Sequence, residues 1–324
     1  MSADRFANLS VDELKDLLQQ RSVDFSNCAE KRELVELCLR SSPGASASSD
    51  GDVAMVTAPG VHHDIAQNTK QWFHMRRGDF GVRVGGSEIG VILGVSPYAK
   101  PYSLYEKIIA QEDGTWENDE EQPDPCIHGH DCEPLIAGMY KHYIMENSKD
   151  EAERKLVMME GGYYQHPHEH LGELYGASPD RRIINPVTVK ADGSVVYERL
   201  LEIKAPYGRM YTYVKPEYMA QVQYQMLCSG IDRCDFLAIK LDHEMPEKTI
   251  PSKIRVFLAR VYRSDEYIEW MMPRLYYFSR CLILRKCPER DLYDSEATGL
   301  EMPPKVRVDE VYVENGAWTV QECA

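Results

Sequence analysis

The sequence predicts an α/β protein, a mixed β-sheet with helices on both sides, preceded by a small helical module. Three observations lead there. Two β-branched, apolar stretches at 183–189 and 195–203 flank the turn ADGS, whose Asp192-Gly193 pair favours a hairpin. Later runs with strand character, LAIKL, IRVFLARVYR and VRVDEVYVE, extend the sheet. Between and around them lie segments with helical spacing, among them EYMAQVQYQMLCSG and the amphipathic YIEWMMPRLYYFSRCLILR, which is expected to pack on the core.

Taken in chain order, the first 42 residues read as two short helices. In LSVDELKDLLQQRSV the apolar residues Leu9, Leu14, Leu17 and Leu18 fall near helical spacing, and Ser10 with Glu13 forms a capping box. AEKRELVELCLR supplies the second helix, with Leu34, Val35, Leu37 and Cys38 around its apolar face. A linker at 43–60 follows, opening in the Ser-, Gly- and Ala-rich run SSPGASASSDGD, a composition that favours a flexible chain. Residues 61–324 are long enough for one α/β domain and carry no internal repeat.

Bulk properties bound the function. With 43% hydrophobic and 27% charged residues, the 324-residue chain can bury a sizeable core. Its formal net charge of −15 excludes a protein that coats nucleic acid through a general positive field, but leaves room for cations gathered in one cleft. Part of the acid sits in EDGTWENDEEQPD, which reads as a solvated loop. No apolar run is long enough to span a bilayer, and MSADRFANLSVDELK lacks the basic start and apolar stretch of a secretory signal. A soluble, intracellular protein with no membrane partner is expected, its nine scattered cysteines reduced.

The chemistry concentrates on the central hairpin. Asp180 precedes its first strand, and Glu202 and Lys204 lie near the end of the second. Strand side chains alternate, so Glu202 and Lys204 share a face while Ile203 points into the core. The hairpin brings Asp180 close to them. Carboxylates are hard oxygen ligands suited to Mg²⁺, with Mn²⁺ as substitute, and the Ile203 carbonyl lies between the two side chains as a further ligand. A lysine there can orient water or neutralise charge developing in a transition state. An E-x-K on a strand is by itself an ordinary surface ion pair; Asp180 and the hairpin give it weight.

Five ordered blocks now carry a resemblance. WFHMRRG with GGSEIGVILGVSPYAKPYSLYEKI, HGHDCEPLIAGMYKHY, GASPDRRI, LLEIKAP and EYMAQVQYQMLCSG resemble the PD-(D/E)XK nuclease superfamily, and within it the YqaJ-type recombinases and lambda exonuclease. The resemblance implies a restriction-endonuclease-like sheet and a Mg²⁺-dependent exonuclease acting 5′-to-3′ on double-stranded DNA ends in recombination or DNA processing. A structure-specific endonuclease, or a catalytically silent DNA-end or protein-binding module, are the alternatives on the same scaffold.

Carried over by position, Asp180, Glu202 and Lys204 resemble the catalytic core, with Asp180, Glu202 and the Ile203 carbonyl as metal ligands. Glu133 resembles the carboxylate that completes the metal site. Gln221 resembles a glutamine supporting the lysine, with Gln225 one turn on as its substitute and Gln223 facing elsewhere. Arg76 and Ser87 resemble residues gripping the 5′ phosphate, a role for which Arg77 and Arg83 also compete. The first 42 residues resemble a SAP-like helix–loop–helix module, which would bind DNA or a recombination partner protein, and related exonucleases form homo-oligomers.

Two other clusters are read as non-metal. Cys126, His128, His130 and Cys132 lie too close together for the usual paired zinc spacing. His166, His168 and His170 are expected to line the approach to the site or to decorate a loop.

Overall fold

The computed structural model describes residues 59–77, 84–115, 124–189, 195–241, 255–293 and 302–310, with six isolated positions before them, Ser10, Val11, Leu14, Lys15, Lys31 and Leu34. Leu14 and Leu34 are both buried. The remainder of the expected N-terminal module, the linker up to residue 58, most of the acidic segment, the ADGS turn and the tail from residue 311 lie outside the described residues.

In chain order the elements are β1 (His62–His63), α1 (Lys70–Arg77), a 3₁₀ turn (Gly86–Glu88), α2 (Ile89–Ile92), α3 (Pro101–Glu112), α4 (Asp124–Tyr140) running into a π turn (Lys141–Glu146), and α5 (Glu151–Arg154). Next come β2 (Val157–Glu160), β3 (Tyr163–Gln165), α6 (Glu169–Gly172), β4 (Gly176–Ala177), β5 (Arg181–Val189) and β6 (Val195–Lys204). The chain closes with α7 (Pro216–Ser229), β7 (Arg233–Lys240), β8 (Arg255–Tyr262), α8 (Asp265–Ile283) and β9 (Val308–Glu310).

The main sheet has six strands in the order β2-β5-β6-β7-β8-β9. All its neighbours are antiparallel except β6 and β7, which run parallel with Glu202 opposite Phe236 and Lys204 opposite Ala238. Parallel strands need a crossover, and α7 supplies it. Pro216 opens α7, where its missing N–H costs nothing, and Gly230 closes it at φ 69°, a left-handed conformation that glycine adopts without strain. The sheet is therefore mixed and flanked by helices, as the sequence predicts. The late runs LAIKL and IRVFLARVYR fall on β7 and β8, and VRVDEVYVE is represented by β9 among the described residues.

Alternation along β6 assigns its two faces. Leu200 packs with Val222 and Met226 of α7, whereas Leu201 and Ile203 pack with Ile136, Ala137 and Tyr140 of α4 on the opposite side. Glu202, in phase with Leu200, is thereby driven beneath α7 and is only 1% exposed. A second packing layer joins α2, α3, α7 and α8 around Ile89, Tyr224, Trp270 and Phe278. The aromatic-rich helix α8 packs on this core, its first turn capped by the Ser264 hydroxyl accepting from the Tyr267 N–H. Gly60 donates its N–H to the Cys228 carbonyl at 2.8 Å, so the folded region already includes the last residue of the expected linker.

The far side of the sheet holds a buried charge cluster that the sequence did not signal. Asp235 is fully buried and receives Arg260 Nε at 2.7 Å and the Tyr140 hydroxyl at 2.6 Å, while Arg199 Nε lies 2.9 Å from it. Arg199 also reaches Glu153 of α5 at 2.6 Å. Each buried ion thus has several partners, the condition for tolerating charge away from water.

Candidate active site

The Ser178-Pro179-Asp180 turn is held from three directions. Trp72 Nε1 donates to the Ser178 hydroxyl at 2.9 Å and Gln67 Nε2 to the Pro179 carbonyl at 2.8 Å, tying the turn to α1 and the segment before it. The Gly161 N–H donates to the Asp180 carbonyl at 3.2 Å. A Cβ on Gly161 would lie 1.6 Å from the Pro179 carbonyl oxygen, so only glycine permits this approach. Asp180 then turns its own carboxylate to the end of β6, where Oδ2 accepts the Ile203 N–H at 2.6 Å.

Glu202 is the most heavily bonded group of the site. Lys204 Nζ and Gln221 Nε2 both donate to its Oε1, Gln221 at 2.7 Å, and Gln225 Nε2 donates to its Oε2 at 2.7 Å. Gln221 and Gln225 reach it because they stand one turn apart on the buried face of α7. Gln223, on the other side, bonds the Tyr262 carbonyl and the Ser264 N–H. Gln221 grips the same carboxylate oxygen that Lys204 grips, so the two are linked through Glu202, and Gln225 acts beside Gln221 on the other oxygen. Lys204 also lies 5.0 Å from the Tyr218 ring centre, a cation–π contact.

Electrostatics set the protonation tendencies. Burial pushes the Asp180 carboxyl well above its ordinary value, and Glu202 and Glu133 push the same way against Lys204 and the Ile203 N–H. Burial pulls Lys204 down, but Glu202 and Asp180 outweigh it and the net shift is upward. The site therefore crowds carboxyl groups around one ammonium, and Asp180 is pushed toward holding its proton.

Glu133, on α4, faces the same cleft but is held by Arg181 Nη1 at 2.8 Å. Among the described residues no three Asp, Glu, His or Cys side chains converge as a ready-made metal cage. The donor chemistry nevertheless fits a hard divalent cation: Asp180, Glu133 and the Ile203 carbonyl offer oxygen donors, and the burial and neighbouring carboxylates that raise Asp180 are what such a cation would offset. Glu202 has less to give, since three donors already occupy most of its roughly four lone-pair sites.

Asp180, Ile203, Lys204, Glu133 and Ser87 line one cleft of about 950 Å³. Arg76 borders a second cavity of about 480 Å³, with Trp72 and Phe73, and His130 lines both. The Arg76 guanidinium stacks on the Trp72 ring at 4.7 Å and presses on Gly85, two residues before Ser87 at the 3₁₀ turn. The side chain of Arg77 and the whole of Arg83 lie outside the described residues.

The histidine clusters resolve differently. Of the three in the second tract, His166 is buried in the core, stacked on Tyr224 at 5.8 Å, and burial lowers its pKa to about 3. His168 packs edge-on against Tyr276. Neither lines the cleft: His168 lies in the loop before α6, the second of the two expected placements, whereas His166 departs from both by entering the core; the side chain of His170 lies outside the described residues. In the first tract, Cys132 lies 3.6 Å from His128 Nδ1 and Cys126 is exposed, and no zinc cage forms among the described residues. His130 and Cys126 are the residues there that line the cleft; a helix placing His130 one turn before Glu133 was the signal that could have marked it.

Glu202 and Lys204 thus meet at the end of a central strand, with Asp180 beside them and the glutamines of α7 as their roof. Residues 71–232 match the YqaJ-like viral recombinase domain, and the chain belongs to that family. Residues 1–40 match the E3 ubiquitin-protein ligase rififylin-like domain. A search of curated proteins finds no match. Among solved structures, an alkaline exonuclease from Laribacter hongkongensis is similar at 24% identity and a TM-score of 0.45, covering 66% of this chain and 92% of its own, with the same values for its complex with dAMP. A phage-related exonuclease from Haemophilus somnus 129PT is similar at 14% identity and a TM-score of 0.42, covering 63% and 94%.

Proposed function

We propose that this chain is a divalent-metal-dependent deoxyribonuclease that degrades DNA from duplex ends in the 5′-to-3′ direction, in recombination or DNA processing. The observation that carries the reading is that Asp180 and Lys204 line one cleft while Glu202, buried beneath α7, bonds Lys204 from below, in a chain of the viral recombinase family. A silent scaffold protein would have no need of Asp180, Glu133 and Lys204 facing one cavity with Glu202 buried against the lysine.

Asp180, Glu133 and the Ile203 carbonyl would hold the cation, Mg²⁺ or Mn²⁺, with Glu202 as a further ligand. Bound there, it would supply Lewis-acid polarisation of the scissile phosphate and a more acidic water. Lys204 stays protonated beside Glu202 and donates to charge building on the phosphate oxygens. Gln221 and Gln225 fix the Glu202 carboxylate, which fixes Lys204. Arg76, with the Ser87 hydroxyl, would take a terminal 5′ phosphate, for which a guanidinium fork is suited. Residues 1–42 would serve as a tethered module that holds DNA or a partner protein and raises local concentration, with 61–324 as the catalytic domain.

The test compares linear duplex DNA with covalently closed DNA of the same sequence in Mg²⁺. Digestion of the linear form alone is expected. Cutting of the closed circle would replace the end-directed reading with an endonuclease, and intact linear DNA would end the nuclease reading.

A further inference from the structure

Three tyrosines stand out of the same cleft that holds Lys204. Tyr98, Tyr213 and Tyr207 are 74%, 61% and 37% exposed, and all line the cavity with Asp180 and Lys204. Single exposed rings are ordinary, but three gathered at one cleft, Tyr207 edge-on to His128 at 5.6 Å, mark a surface suited to a ligand. Two come from the segment that follows Lys204, KAPYGRMYTYVK, which joins β6 to α7. That segment carries Lys204, Arg209 and Lys215 and no Asp or Glu, in a chain whose net charge is −15. The segment is anchored at its base: Lys240 Nζ donates to the Tyr207 carbonyl at 3.1 Å and to the Gly208 carbonyl at 2.6 Å, and the Tyr211 and Tyr218 hydroxyls lie 2.9 Å apart. Lys215 Nζ sits 4.3 Å from the Tyr211 ring centre.

Exposed aromatic rings interleaved with cations make a surface for unpaired nucleotides: bases stack on the rings and phosphates meet the ammonium and guanidinium groups. A base inside a duplex offers no free face and the terminal pair offers one, so several such rings along one cleft suit a strand splayed from its partner. We propose that Tyr98, Tyr207 and Tyr213 form a stacking platform for the bases of an unpaired DNA strand beside the cleavage site, so that a duplex end is opened before it is cut. The proposal rests on the nuclease reading for the identity of its ligand, and Lys204, Arg209 and Lys215 beside the rings, on a segment without a carboxylate, favour a polyanionic strand as the occupant.

The test uses the full chain and two double variants, Tyr98→Ala with Tyr213→Ala, and Tyr98→Phe with Tyr213→Phe. Binding of fluorescein-labelled oligothymidylate is measured by anisotropy in EDTA, which separates binding from hydrolysis. The alanine pair is expected to bind at least about tenfold more weakly and the phenylalanine pair within about twofold of the parent, because stacking needs the ring and not the hydroxyl. In Mg²⁺ the alanine pair should recover activity on duplexes whose terminal pairs are mismatched. Equal binding by the alanine pair, an equal loss in the phenylalanine pair, or no binding of oligothymidylate by the parent chain overturns the platform. A parent chain that binds oligothymidylate yet cleaves no DNA in Mg²⁺ overturns the nuclease reading and leaves the platform standing.

Discussion

Gln225 donates its side-chain amide to Glu202 at 2.7 Å, on the carboxylate oxygen opposite the one that Gln221 and Lys204 share. Glu202 is thus clamped from above by two residues of one helix, and Lys204 is positioned through it. Gln225→Leu removes one of these bonds to a buried charge, worth about 1.5–3 kcal/mol. If that energy appears in the transition state, turnover on linear DNA falls on the order of ten- to a hundredfold. Steady-state kinetics check this, with circular dichroism confirming an unchanged fold; Gln221→Leu should behave alike, and the double variant should lose less than the two losses combined.

Glu133 bonds Arg181 at 2.8 Å while facing the same cleft as Asp180. If Glu133 serves as a ligand, Glu133→Gln shifts the Mg²⁺ activation curve to higher concentration with a smaller effect on the saturated rate. Arg181→Met frees the carboxylate and shifts the curve the other way. A Mg²⁺ titration of activity for the three proteins decides it; coincident curves would remove Glu133 from the metal site.

Arg76 lies in the cavity next to the cleft, braced on Trp72. Arg76→Ala should raise KM about tenfold for duplexes with 5′-phosphorylated ends and leave 5′-hydroxyl ends nearly unchanged, since a guanidinium–phosphate contact exists only with the former. Paired assays on the two substrates measure the difference directly.

Asp235 ties Arg199, Arg260 and Tyr140 together behind the sheet. Removing it leaves two cations short of their counterion, and Asp235→Ala should cost about 3–5 kcal/mol in urea unfolding. The pH dependence follows from the sign of its shift. Burial alone would raise this carboxyl, but hydrogen bonding from Arg260 and the charges of Arg199 and Arg260 overcome it, and the folded value lies below the ordinary one. Its contribution is complete above the unfolded carboxylate value of roughly 4 and is lost as pH falls through the folded value. Asp235→Asn should flatten the acid limb of a stability–pH curve.

Much of this was legible in the sequence because it depends on short-range periodicity. Alternation on β6 put Glu202 and Lys204 on one face, and the four-residue spacing of Gln221 and Gln225 put both on one side of α7; the contacts follow from those two periods. The Glu133–Arg181 pair and the Asp235 cluster were not legible. Asp235, Arg199, Arg260 and Tyr140 come from β7, β6, β8 and α4, and no local pattern links residues that meet only through sheet order. His166 misled for the related reason that a histidine-rich run looks polar by composition, whereas the fold-back before α6 buries this one against Tyr224. The turn at Gly161 also escaped notice, because its need for glycine arises from Pro179, which is distant in sequence.

The most direct test of the central claim is hydrolysis of end-labelled linear duplex DNA in Mg²⁺ by the parent chain and by Lys204→Ala. The arrangement of Lys204, Glu202 and Asp180 predicts nucleotide release by the parent and loss of at least about a thousandfold in the variant, with DNA binding in EDTA retained. Equal release by the two proteins, or none by the parent, would contradict it.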